Sequence, residues 1–121
     1  MASASVFADF LGMAEELPAK EYKDAAAVII GSVLEQHIRR LCLLNEMTTA
    51  DVKDGRSVPR STQRLNQELA SQEVYSKVDQ QMVTGWLALR NEAAHGNYGY
   101  SIEQVSNMLR GAMEFIARNP V

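Results

Sequence analysis

The stretch SIEQVSNMLRGAMEFI, from Ser101 to Ile116, decides the fold class. Ser101 followed by Gln104 fits a capping box, in which the serine hydroxyl accepts a backbone N–H of the first turn and the glutamine side chain returns to the serine N–H. Behind that start, Ile102, Val105, Leu109, Ala112 and Ile116 keep the three-and-four spacing of one face of an α-helix. The same period extends backwards. From about Ser71 to Ala94 the recurring residues are Val74, Val78, Met82, Gly85, Leu89 and Ala93, with Gly96, Asn97 and Gly99 to end the helix. From Pro18 to about Asn45 they are Ala27, Ile30, Leu34, Ile38, Leu41 and Cys42. A short helix is expected over Ser61 to Ala70. Another runs from Ser5 to Glu16, carrying Val6, Phe7, Phe10 and Leu11, and breaks where Leu17 meets Pro18.

No run alternates apolar and polar residues in the manner of a half-buried strand, so the expected fold is all-α. Short links between long helices favour antiparallel neighbours, which gives an up-and-down bundle of four main helices plus a short one. Residues Glu46 to Arg60 carry Asp-Gly and Pro punctuation and are expected to hold a short helix or a mobile loop. Gly12, Gly31, Gly85 and Gly111 fall inside predicted helices, where each costs about 1 kcal/mol relative to alanine. Close crossings within the chain would compensate; for Gly85, close approach of two subunits is the sharper reading.

With 121 residues and 46% hydrophobic content, the chain has the size of one domain, 1–121. No run reaches the roughly 20 apolar residues that span a bilayer, and MASASVFADF has neither a basic leader nor a signal-like apolar stretch. No membrane association is expected, and the cytoplasm is the expected location. Cys42 is the single cysteine, and with two histidines it leaves no favourable zinc spacing, so neither a metal nor another cofactor is expected. A net charge of −3 argues against a protein that coats duplex nucleic acid, while leaving room for a small basic site.

The chemistry concentrates in RNEAAHGNY, Arg90 to Tyr98. Histidine is the side chain that titrates near neutrality, and arginine offers a planar, permanently charged fork for phosphate oxygens, so the two suit phosphodiester chemistry. Five positions along a regular helix turn by about 140° and rise about 7.5 Å, which puts Arg90 and His95 on different faces unless Gly96 lets His95 swing out of register. WLALRNEAAHGNY, Trp86 to Tyr98, resembles the signature of the HEPN superfamily of helical domains: Arg, a polar residue, then His at the end of a long helix. GSVLEQHIRRLC, Gly31 to Cys42, and the last helix resemble the corresponding family elements.

That resemblance implies a metal-independent endoribonuclease, a toxin or antiphage defence effector, with Arg and His of two subunits meeting across a homodimer. Single-stranded RNA would be the substrate, and an antitoxin or other protein a partner. His95 would act on the 2′-hydroxyl or the leaving oxygen, Arg90 would hold the scissile phosphate, and Asn91 would orient the histidine or bind phosphate. Some toxin members carry a modifiable Tyr two residues after the His; here that place is Asn97, and Tyr98 follows. Other members bind nucleotides or proteins without cutting, so a non-catalytic dimerisation or binding module of the same fold is the alternative. An unrelated helical regulator is a third reading.

Glu35 is a secondary candidate, placed to orient Arg90 or His95 or to pair with Arg39 one turn on. Tyr98 and Trp86 are of the type that stacks on a base, with packing as the plainer role. His37, between Leu34 and Leu41, reads as a hydrogen-bonded boundary residue, and Cys42 as a small buried hydrophobe. Arg39, Arg40, Arg56, Arg60 and Arg64 either guide an RNA strand or are scattered surface charges.

Overall fold

Ala19–Leu44 forms α1, and the whole predicted stripe from Ala27 through Ile30, Leu34, Ile38, Leu41 to Cys42 is buried. The helix ends in a paired-carbonyl turn. Glu46 takes a φ of 56°, its N–H bonds the Leu43 carbonyl, and the Met47 N–H reaches back to Cys42. The computed structural model describes Asp9, which is helical, and residues 19–97 and 99–121. The rest of the expected helix over Ser5–Glu16, Gly12, the Leu17–Pro18 break and Tyr98 lie outside the described residues.

The segment expected to be a short helix or a loop is a β-hairpin. β1 (Ala50–Lys53) pairs antiparallel with β2 (Arg56–Pro59), Lys53 opposite Arg56 and Ala50 opposite Pro59. Asp54 and Gly55 form the two-residue connection, both at positive φ (51° and 74°), as a type I′ turn requires. The strands escaped the reading for alternation because they have four residues each and β2 is exposed throughout, so neither needs an apolar face. The fold is therefore mostly helical with one small sheet among the described residues.

Ser61 caps α2 (Thr62–Ser71), its side chain accepting the Arg64 N–H. α2 ends in the same turn type as α1, with Glu73 at φ 60° and the Val74 N–H on Leu69. α3 (Lys77–Ala94) consequently starts after Ser76, whose side chain accepts the Asp79 N–H, rather than near Ser71. α4 (Ile102–Arg118) opens with both halves of the predicted Ser101–Gln104 capping box.

α1 packs against α2, α3 and α4, and α3 packs against α2 and α4. One core region gathers Leu34, Ile38, Leu65, Leu69, Leu87 and Phe115; the other gathers Ala27, Ile30, Ala93, Val105, Met108 and Ala112; Trp86 touches both. Two predicted stripes shift. On α4 the buried residues are Val105, Met108, Ala112 and Phe115, while Ile102 is 44% exposed. On α3 they are Val83, Leu87 and Ala93, while Val78 and Met82 are 65% and 41% exposed. On the buried side of α3, Trp86 lies edge-on to Phe115 of α4, ring centroids 6.4 Å apart. Asn66 is fully buried yet satisfied, donating to the Gln80 carbonyl (2.9 Å) and accepting from the Tyr75 hydroxyl (2.6 Å), which ties α2 to α3. Among the described residues no helix is long and apolar enough to cross a membrane.

Candidate functional site

Arg90 projects from the last part of α3 towards α1 because Gly31 leaves it room. A methyl group at Gly31 would overlap Arg90 Cβ and Cγ. The arginine stem thus fills the space of a missing side chain, and its guanidinium meets Glu35 one turn further along α1, Nη1 to Oε2 at 3.2 Å. The other carboxylate oxygen faces Arg39 Nη2 at 3.6 Å. Of the three partners the sequence opens to it, Glu35 therefore pairs with Arg90 and Arg39 rather than His95, and stands between two guanidiniums. The same Arg39 Nη2 also donates to the Arg60 carbonyl (2.9 Å) and the Thr62 hydroxyl (3.5 Å), where the hairpin runs into α2.

These groups border an open recess of about 300 Å³ whose lining includes Glu35, Arg39, Thr62, Gln63, Arg90 and Asn91. Asn91 is exposed at its rim. His95 is not part of the recess lining. It is the C-cap residue of α3, exposed, and its N–H still makes the helical bond to the Asn91 carbonyl at 3.0 Å. The chain turns one residue later, at Gly96, with φ 74°. The swing of His95 out of register that Gly96 could have allowed does not occur, and the two side chains leave α3 about 140° apart, on different faces. The structure brings Arg90, Asn91 and Glu35 together and leaves His95 at the adjoining helix end; Tyr98 lies outside the described residues.

The other cations divide. Arg60 is held by Asp51 (2.9 Å) and Glu68 (2.9 Å), and Arg64 by the same two carboxylates at 2.7 and 3.6 Å. The hydrogen bond from Arg60, reinforced by its charge and by Arg64, holds the Asp51 carboxyl below the usual range against the opposing effect of desolvation. Those two arginines staple the hairpin to α2. Arg39, open in sequence both to a pairing with Glu35 and to a place among the surface cations, takes the pairing. Its place beside Arg90 depends on the hairpin exit, which periodicity could not reveal.

His37 is 7% exposed, and its Nε2 donates to the Asn119 carbonyl at 2.6 Å. Burial chiefly, with the charge of Arg40, lowers its pKa against the raising effect of that bond. Cys42 is fully buried, and burial together with the Glu68 charge pushes its thiol up, which suits packing rather than nucleophilic work. Trp86 is a packing residue, as its contact with Gly111 also shows. Among the described residues, no three His, Cys, Asp or Glu side chains gather as a metal site. Compared with known proteins, the chain matches no family model, no curated protein and no solved structure.

Proposed function

We propose that the protein is a HEPN-like up-and-down helical bundle acting as a metal-independent endoribonuclease, a toxin or defence effector whose Arg/His site is completed by a second copy of the chain. The observation that carries this reading is Arg90. Its stem is set into the gap at Gly31 and its fork is held by Glu35 at an open recess, so a planar phosphate-binding group is presented in a fixed orientation. His95, on another face of the same helix, supplies the proton-transfer group, and a two-fold axis can bring His95 of one copy towards Arg90 of the other.

In the proposed reaction one His95 takes the proton of a ribose 2′-hydroxyl. The 2′-oxygen bonds to phosphorus, the bond to the 5′-oxygen breaks, and His95 of the second copy protonates that leaving oxygen. The products are a 2′,3′-cyclic phosphate and a 5′-hydroxyl end. Arg90 offsets charge on the phosphoryl oxygens, and Asn91 at the recess rim adds a donor to them.

Cleavage of single-stranded RNA is expected to persist in excess EDTA, to fall about 10²- to 10⁴-fold in His95→Ala, and to be absent on DNA. Equal rates for wild type and His95→Ala, in preparations of matched purity, overturn this reading. The ion pairing of Arg90 with Glu35, in an acidic chain, favours a second reading: a non-catalytic module that dimerises or binds a nucleotide or protein.

A further inference from the structure

We infer that the recess between α1, the start of α2 and the end of α3 holds a second phosphate subsite, in which Arg39 seats the phosphate next to the scissile one held by Arg90. The identity of the strand rests on the ribonuclease reading; the subsite itself rests on the geometry of the recess. Arg39 and Arg90 share one carboxylate, Glu35, each facing a different oxygen. Each guanidinium has five N–H donors. Among the described residues only Nη2 of Arg39 and Nη1 of Arg90 are engaged, so both arginines retain donors at the recess.

Glu35 neutralises one of the two charges and leaves the pair one positive charge in excess. Arg60, which also borders the recess, is committed to Asp51 and Glu68. An anion is therefore the ligand this arrangement suits. The Thr62 hydroxyl, already in line with Arg39 at 3.5 Å, lies on the same wall and can donate to a phosphate oxygen. Two guanidiniums separated by a single carboxylate suit neighbouring phosphates of an extended strand better than one isolated anion, which would have to displace Glu35 to reach both forks.

The probe is a short single-stranded RNA with 2′-O-methyl groups, which cannot be cut, so binding is read apart from cleavage. Fluorescence anisotropy across a salt series gives affinity and its salt slope. Arg39→Ala is expected to weaken binding about tenfold or more and to reduce the slope by about 0.7, the contribution of one single-strand phosphate contact. Arg110→Ala removes a charge from the exposed surface of α4 and is expected to change binding much less.

Glu35→Gln takes away the negative charge between the two forks while keeping an acceptor, so it is expected to tighten binding. That variant carries the test if Arg39→Ala, which also loses the bond to the Arg60 carbonyl, melts early. Weaker binding in Glu35→Gln, or equal losses in Arg39→Ala and Arg110→Ala, overturns the subsite. Binding of AMP without the oligomer overturns the strand. Loss of cleavage in His95→Ala with these binding effects absent leaves the ribonuclease reading standing and removes the subsite alone.

Discussion

Gly31 shows how one missing side chain sets a functional group. Within α1 it forgoes about 1 kcal/mol of helix propensity, and in return the Arg90 stem lies across the helix and delivers its fork to Glu35. Gly31→Ala should therefore destabilise the fold, because the overlap with Arg90 outweighs the propensity gain; overpacking of this kind costs about 1–3 kcal/mol. In an Arg90→Ala background the cost should shrink, since Cγ and Cδ are gone and only the Cβ contact remains. Denaturant unfolding of the four chains measures this coupling, and an unchanged cost in both backgrounds would show that the two residues do not meet. From sequence, Gly31 was legible as a close crossing, but not which side chain crosses it. Periodicity says which residues share a face and is silent on what fills a gap between faces.

At the scale of elements, the C-terminal end of α4 is anchored to α1 by His37 and the Asn119 carbonyl. A carbonyl can only accept, so His37 donates from Nε2 and is buried most favourably in its neutral form. Its pKa is lowered in the fold from 6.5, so the unfolded chain binds the proton more readily. The stabilisation is present above pH 6.5 and is lost as pH falls through the lower folded value. Unfolding free energy should drop between pH 7 and 5, and His37→Gln, which can still donate, should flatten that slope. Asp51 loses its favourable pairing only below its ordinary value of 3.8, outside this window. The same slope in His37→Gln would assign the effect to another group. The helices that carry such contacts were legible because caps and long stripes are local signals: Ser101–Gln104 and the α1 stripe are examples. The hairpin was not, because its Asp54–Gly55 turn joins strands too short and exposed for a pattern. The faces that α3 and α4 bury, where Trp86 meets Phe115 across two helices, are a tertiary choice that one helix's period does not carry.

Over the whole molecule, Gly85 stands apart from Gly31 and Gly111. Gly111 is filled by the Trp86 ring as Gly31 is by Arg90, whereas a Cβ at Gly85 would meet nothing within 4 Å among the described residues. Among the described residues, the intrachain explanation for a helical glycine therefore holds at Gly31 and Gly111 and finds no contact at Gly85. Val78 and Met82, exposed at 65% and 41%, lie on the same side of α3 as Gly85, spaced by four and three residues. A second copy approaching along this side would cover them and account for the glycine. Light scattering at micromolar concentration should report about twice the 13.4 kDa chain mass. Gly85→Leu should keep helix content by circular dichroism, since leucine is a better helix former than glycine and has open space among the described residues. It should nevertheless weaken the dimer in sedimentation. A monomeric wild type removes the composite site. A dimer that tolerates Gly85→Leu moves the interface to another face, and an equal loss of helix content and association means that Gly85 supports the fold itself.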